Sequence, residues 1–290
     1  MHPAHPTRVQ PEGSPTRVHR EVVSYVRRSA RMTASQVAAW ESWRGSWVLD
    51  VERGDTSTSI APQPPLDLAS VFGRTAPLLV EIGSGNGDSL ASMAAGRPGW
   101  NVLAFEVFQP ALAGTLHKLA RAGAGNVRLI MGNGTQGLDH LLGPASIDEL
   151  LLNFPDPWHK SRHHKRRIVD ADFAALVASR LVPGGLWRLA TDWEDYALWM
   201  REVLDAAPGF ENVHASEGGW APRFDERPVT KYERRGIEAG RAIFDLTYRR
   251  LKPSQPLPLG RSASGGGRPP PIPHRRPRSR SHEGETGPRL

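Results

Sequence analysis

From residue 78 onward, short apolar runs alternate with longer stretches whose apolar residues recur at helical spacing. The runs at 78–82, 101–105, 127–131, 147–153 and 186–190 read as buried strands. Between them, 89–95, 110–122, 138–142, 171–181 and 192–204 read as helices. Pro110 falls in a first turn, where a missing N–H costs nothing. Asp170 is placed to cap the helix that follows it, and Pro183-Gly184-Gly185 to end that helix. Segments 210–214 and 242–248 read as two last strands. Strands alternating with helices predict an α/β fold, a mostly parallel, doubly wound sheet with helices on both faces. Upstream, Thr33 or Ser35 is a cap for a helix over 36–47, with Val37, Ala39, Trp40, Trp43 and Trp47 as its apolar surface. Residues 50–65 read as a loop, and 67–72 as a short helix or turn leading into the first strand.

Composition sets the boundaries. The chain has 290 residues, 39% of them apolar. Residues 1–19 are polar and proline-rich and predict a disordered tail; so do residues 252–290, with their prolines, Gly265-Gly266-Gly267 and Arg275-Arg276-Pro277-Arg278. One domain is expected over 20–251, with a helical extension at 20–65. There are no cysteines, which excludes disulfides, thiolate metal sites and a cysteine nucleophile. No signal peptide or membrane span is legible, so a cytoplasmic protein is expected. The net charge of +7 is unevenly placed. The stretch from Lys252 onward carries +6 and Met1 to Arg20 carries +2, leaving −1 for everything between. Any basic footprint on the folded part must therefore be local.

One local sequence changes the picture most. The strand at 78–82 runs into Gly83-Ser84-Gly85-Asn86-Gly87-Asp88 and then into a helix. Glycines at such a turn let a ligand approach the backbone, and the helix start behind them offers free N–H groups. A dinucleotide fingerprint requires Gly-x-Gly-x-x-Gly, but here the third glycine comes one residue early. Glu81 just before the glycines suits a cationic ligand better than a pyrophosphate. Glu106, at the tip of the second strand, follows Gly85 at the spacing of a carboxylate that grips a ribose diol. S-adenosylmethionine combines adenosine, ammonium and sulfonium, and this acidic-x-Gly-x-Gly-x-Gly pattern resembles the first motif of class I methyltransferases. The absence of cysteine argues against the C5-pyrimidine group among them.

The fourth strand ends in Asn153-Phe154-Pro155-Asp156-Pro157-Trp158-His159-Lys160. Two prolines stiffen this turn, Asp156 lies between them, and Trp158 offers a stacking face. The cluster Lys160-Ser161-Arg162-His163-His164-Lys165-Arg166-Arg167 follows, next to the expected cleft. At its mouth, such a cluster is suited to phosphates flanking a target nucleotide. The histidines form no set with metal-ligand spacing.

These motifs together resemble the bacterial tRNA (guanine-N7)-methyltransferases. The resemblance continues through Pro183-Gly184-Gly185, Ala190-Thr191-Asp192-Trp193-Glu194-Asp195-Tyr196 and Arg227-Pro228-Val229-Thr230-Lys231-Tyr232-Glu233-Arg234-Arg235-Gly236, and covers about residues 24–250. It implies an antiparallel pair at the end of the sheet. It also implies S-adenosylmethionine as methyl donor, tRNA as partner, and position 46 of the variable loop as target. Glu81, Gly83, Gly85, Gly87, Glu106, Asn133 and Asp156 fall on its donor-binding positions. Asn133 stands where the family usually has Asp, and keeps a carbonyl acceptor for the adenine amino group. Asp156 falls on the catalytic position. Lys160, Asp192, Thr230, Lys231, Tyr232 and Glu233 fall on substrate positions. Arg162, His163, His164, Lys165, Arg166 and Arg167 fall on the RNA-contacting stretch. No obligate protein partner is expected, and a monomer or homodimer is.

Guanine N7 carries a lone pair and no proton at neutral pH, so its attack on the methyl needs no general base. The protein must supply position and a field that favours a base turning cationic. Asp156 and Asp192 are expected at the guanine N1/N2 edge or the developing charge, with Lys160 toward O6 or a phosphate. Taken alone, Asp192 also reads as a helix cap and Thr230 to Glu233 as a capping box. Alternatives are a methyltransferase for another acceptor, a non-catalytic RNA-binding subunit on the same fold and, more distantly, a nicotinamide oxidoreductase.

Overall fold

The computed structural model describes residues 31–252. The expected tails fall outside the described residues, Lys252 excepted. The sheet has the strand order β3-β2-β1-β4-β5-β7-β6. Strands β1 (Leu78–Ile82), β2 (Asn101–Glu106), β3 (Val127–Met131), β4 (Ile147–Asn153) and β5 (Leu181–Thr191) pair in parallel. The last strand, β7 (Phe244–Arg250), runs antiparallel to both β5 and the short β6 (Phe210–Asn212). Helices α3 (Asp88–Gly96), α4 (Gln109–Ala122), α5 (Gly134–Leu141), α6 (Ala171–Arg180) and α7 (Glu194–Asp205) supply the crossovers, and α8 (Lys231–Glu238) precedes β7.

Successive strand residues point to opposite faces, and both faces are buried. Leu79, Val102, Ala104, Leu129 and Leu151 meet Leu90, Met93, Leu112 and Leu116 on one side. Val80, Leu103, Phe105, Leu150, Leu152 and Trp187 pack with Leu138, Phe173, Val177 and Tyr196 on the other. Two-sided burial explains why these strands read as mostly apolar runs and not as an alternation of apolar and polar residues.

Helix α1 (Ala34–Trp47) is capped by Thr33, which forms a capping box with Gln36. It packs on the α4 side, where Gln36 donates to the Pro110 carbonyl at 2.8 Å and Trp47 Nε1 to the Ala124 carbonyl at 2.7 Å. Asp67 caps α2 (Leu68–Phe72). The segment that reads as loop over 50–65 is a fixed strap. The Asn133 N–H donates to the Thr58 carbonyl at 2.7 Å, and the Ile60 N–H to Gln136 Oε1 at 2.9 Å.

Several boundaries differ from the expectation. Helix α5 starts at Gly134, not 138, because the Asn133 side chain accepts from the Thr135 N–H and opens the helix a turn earlier. Helix α6 ends at Arg180, before Pro183-Gly184-Gly185. That tripeptide lies within β5, at the register shift between Ile147 and Glu149, with Gly184 at φ +88°. Asp192 is not the cap of α7. The cap position belongs to Trp193, which makes no side-chain capping bond.

Candidate active site

The glycine turn leaves β1 at its carboxyl end and wraps one wall of a cleft of about 730 Å³. Gly83, Gly85 and Gly87 all have positive φ, at 75°, 55° and 73°. Gly87 does not face the cleft. It is buried, and an added Cβ would lie 2.5 Å from the Thr115 side chain, so its role is to seat the turn on α4. Glu106 fixes the turn from the next strand. It accepts from the Gly85 N–H at 2.8 Å with one oxygen and from the Phe108 N–H at 2.9 Å with the other. Both oxygens of the carboxylate are thus held in place by backbone N–H groups.

Glu81 is 2% exposed at the end of β1. Asn153, ending the neighbouring β4, donates to its Oε1 at 3.2 Å. Oε2 is buried without a hydrogen-bond partner; the Ser89 hydroxyl stands nearby but does not close a bond of good geometry. Burial is the main reason the carboxyl is pushed up to about 7. Across the cleft, Asn133 spends one lone pair of its side-chain oxygen on Thr135 and keeps the other. Thr56, Ser57 and Thr58 of the strap line the cleft beside it.

The acceptor side begins where β4 ends. The Phe154 N–H donates to the Ala190 carbonyl at 2.7 Å. Phe154 and Trp158 both sit in left-handed backbone, at φ 51° and 50°. Bulky residues rarely adopt it, and such strain gathers at functional sites. Between them, Asp156 is exposed and lines the cleft. Trp158 also lines it, with Nε1 buried and unpartnered. The Arg166 guanidinium lies 4.9 Å from the Trp158 ring centre, and His163 meets that ring edge-on.

The basic stretch forms a 3-10 helical turn, Ser161–Arg166. Lys160, Arg162, Lys165 and Arg166 are exposed, and Arg166 reaches the cleft. The surrounding low-polarity environment and then the neighbouring cations push His163 below its usual range, and it accepts from Arg162 Nε at 3.3 Å. It adds no charge to the patch near pH 7. Arg167 corrects the expectation for this stretch. It is 4% exposed, pairs with Asp195, and donates to the Pro157 carbonyl at 3.0 Å. Its guanidinium also packs against Tyr196. A cation placed under the turn this way holds the turn and cannot meet a phosphate. Half-buried His164 joins the same cluster, with Nε2 3.2 Å from Arg167.

Helix α8 closes the cleft from above. Thr230 caps it by accepting from the Glu233 N–H, and Thr230, Lys231, Tyr232 and Arg235 line the cleft. The Tyr232 ring lies 3.6 Å from where a Cβ on Gly85 would be. Glu233 corrects a second expectation. It is fully buried and holds Arg223 and Arg227, so its carboxylate does not reach the cleft and does not complete a capping box. Asp192 pairs with Arg241 at 2.7 Å and packs against Gly236, outside the cleft lining. Sequence reasoning missed Asn153 and the strap at 56–58. An Asn closing an apolar strand beside an acid-ended one was the available signal for the first.

A family model described as "Putative methyltransferase" matches residues 75–246. The chain is 58% identical, over 82% of its length and 86% of the relative's, to the tRNA (guanine-N(7)-)-methyltransferase of Cutibacterium acnes. It is 50% identical to that of Nocardioides sp., over 80% and 88%, and 41% identical to that of Paenarthrobacter aurescens, over 79% and 91%. The chain belongs to the tRNA (guanine-N7)-methyltransferase family.

For a member of this family the cleft divides by chemistry. On the β1–β2 side stand Glu81, with one buried carboxylate oxygen that has no hydrogen-bond partner, and the Glu106 carboxylate. Those groups fit a methyl donor that carries an ammonium and a ribose. On the β4–α8 side, Asp156, Trp158, Arg166 and Tyr232 present an acid, rings and a cation. Among the described residues, no helix is long and apolar enough to cross a membrane, and no cluster of His, Asp and Glu is arranged to hold a metal ion.

Proposed function

We infer that the chain methylates N7 of a guanine in tRNA, with S-adenosylmethionine as donor and position 46 as target, in the cytoplasm. One observation carries this reading. Donor-side Glu81 and Glu106 share a single cleft with acceptor-side Asp156, Trp158 and Arg166. Family membership supports the choice of acceptor.

When bound, the donor supplies an electrophilic methyl on a sulfonium. The chain's residues do the rest. Glu81 would take the ammonium, and the Glu106 carboxylate at the tip of β2 the ribose hydroxyls. The strap at Thr56 to Thr58 and Asn133 border the adenine. Guanine N7 needs no proton removed, so no residue has to act as base. Asp156 supplies negative potential where the base becomes cationic, or receives the guanine N–H edge. Trp158 and Tyr232 supply ring faces for the base. Arg162, Lys165, Arg166 and Lys160 hold flanking phosphates.

The test is methyl transfer from labelled donor into unmodified tRNA, with the product nucleoside identified by mass spectrometry. 7-Methylguanosine at position 46 is expected. Another methylated nucleoside would sink the acceptor assignment, and labelling of DNA or free nucleosides in preference to tRNA would point to a different substrate class.

A further inference from the structure

The acceptor wall is assembled from three pieces distant in sequence: the Phe154 turn, helix α8 and strand β7. One side chain touches all three. Arg227 is 1% exposed. Its guanidinium forks onto Asp245 of β7, with bonds of 2.5 and 3.1 Å, and onto Glu233 of α8, with bonds of 3.3 and 3.4 Å. The same guanidinium lies 5.5 Å from the centre of the Phe154 ring.

The surroundings tie this cation to the cleft. Asp245 pairs in register with Ala190, whose carbonyl receives the Phe154 N–H. The two ends of the Phe154 contact are thus referenced to the same β5–β7 ladder. Glu233 is held a second time by Arg223, which also donates to the Arg227 carbonyl at 2.6 Å. Glu233 lies one residue beyond Tyr232, which covers the glycine turn. Farther up the segment, Glu226 pairs with Arg97 at 2.6 Å and anchors the approach to α8. Neither Arg227 nor its two acids lines the cleft.

We propose that Arg227 is a positioning residue for methyl transfer. Through its fork it sets where Thr230, Lys231 and Tyr232 stand relative to the Phe154–Trp158 turn, and so where the guanine rests against Asp156. A planar fork with fixed donor directions can do this; a lysine ammonium at the same site cannot pair with both acids in that geometry. Loss of the fork lets α8 and the turn shift against each other, and an error of about 1 Å in base placement is worth about 100-fold in rate. The donor-side groups, on β1 and β2, are referenced to Glu106 and Asn153 and stay in place.

This inference rests on the proposed methyl transfer to tRNA, and its test separates the two. Wild type, Arg227→Lys and the charge-balanced pair Arg227→Met with Asp245→Asn, which leaves Glu233 on Arg223, are compared as full-length chains. Donor affinity is read by calorimetry, unfolding by thermal melt, and methyl transfer by single turnover at saturating tRNA. In both variants the single-turnover rate is expected to fall at least about 10-fold while donor Kd stays within about threefold. Rates within threefold of wild type would overturn the proposal. So would a rate loss matched by an equal loss of donor affinity, or a chain with no folding transition, since either marks a residue that holds the fold as a whole. If the wild type itself makes no 7-methylguanosine, the functional reading fails and carries this one with it.

Discussion

Asn153 donates to one oxygen of Glu81 at 3.2 Å across the β1–β4 pair, and the other oxygen of that carboxylate is buried without a partner. The fold satisfies one oxygen, and the proposed donor ammonium would meet the other. Burial holds the carboxyl near 7, against an ordinary value of 4.5. A cationic ligand favours the ionised form, so donor binding should release a proton from Glu81. Donor affinity is therefore expected to rise about fivefold between pH 6 and 7, below the range in which the donor's own amine titrates. In the donor-free protein the sign is opposite. A folded-state value raised above the unfolded one gives stability that is present below about 4.5 and lost as pH rises through about 7. Calorimetry in buffers of different ionisation heat checks the first effect and pH-dependent melting the second. Glu81→Gln should flatten both, and a pH profile unchanged in that variant would refute the assignment.

Asp156 is exposed between two prolines, while the donor-side carboxylates are held elsewhere, Glu106 by backbone N–H groups and Glu81 by the Asn153 side chain. Asp156→Ala is expected to lower the single-turnover rate about 100-fold or more and to change donor affinity only a few-fold. A variant that turns over normally would remove Asp156 from the chemistry.

Neighbouring cations of the 3-10 turn should behave in two ways. Arg162→Ala and Lys165→Ala are expected to weaken tRNA binding at any sequence and to lower the salt slope of log Kd by about one each. Arg167→Ala should leave the salt slope alone and lower the melting temperature, because it removes a buried guanidinium that donates to the Pro157 carbonyl, packs against Tyr196 and pairs with Asp195. Equal salt slopes in all three variants would contradict the division.

Gly87→Ala meets two obstacles, a positive φ and a Thr115 side chain 2.5 Å away. The φ term alone is worth about 1–2 kcal/mol. Adding Thr115→Ala removes the two 2.5 Å contacts but leaves the Cβ of that residue at 2.8 Å along with the backbone term, so the double variant is expected to recover only part of the lost melting temperature. Full recovery would mean that the backbone angle is harmless.

The strands at 78–82, 127–131 and 147–153 were legible because burial on both faces makes most of their positions apolar, with Glu81, Arg128, Asp148, Glu149 and Asn153 as the exceptions. The last strand was legible as an apolar run, but its antiparallel sense was not; that came with the family resemblance. Pro183-Gly184-Gly185 looked like a helix stop because Pro and Gly break helices, whereas here they shape an irregularity in β5. In the site, residues next to a local motif, such as Glu81, Glu106 and Asp156, stand together in the cleft. Arg167 and Glu233 do not, because a charge in a charge-rich run reads as solvated. Their burial depends on partners far along the chain, Asp195 for one and Arg223 with Arg227 for the other. No local pattern announces such pairs.

The left-handed backbone at Phe154 and Trp158 bears on how this sequence can drift. Glycine or asparagine would relax either position, and selection for thermal robustness alone would draw both toward those residues. Each such step would delete a ring from the acceptor wall. On the proposed reading, the two rings are kept at a conformational cost that glycine or asparagine would avoid. Lineages adapting to heat would have to find their added stability elsewhere in the sheet and helices.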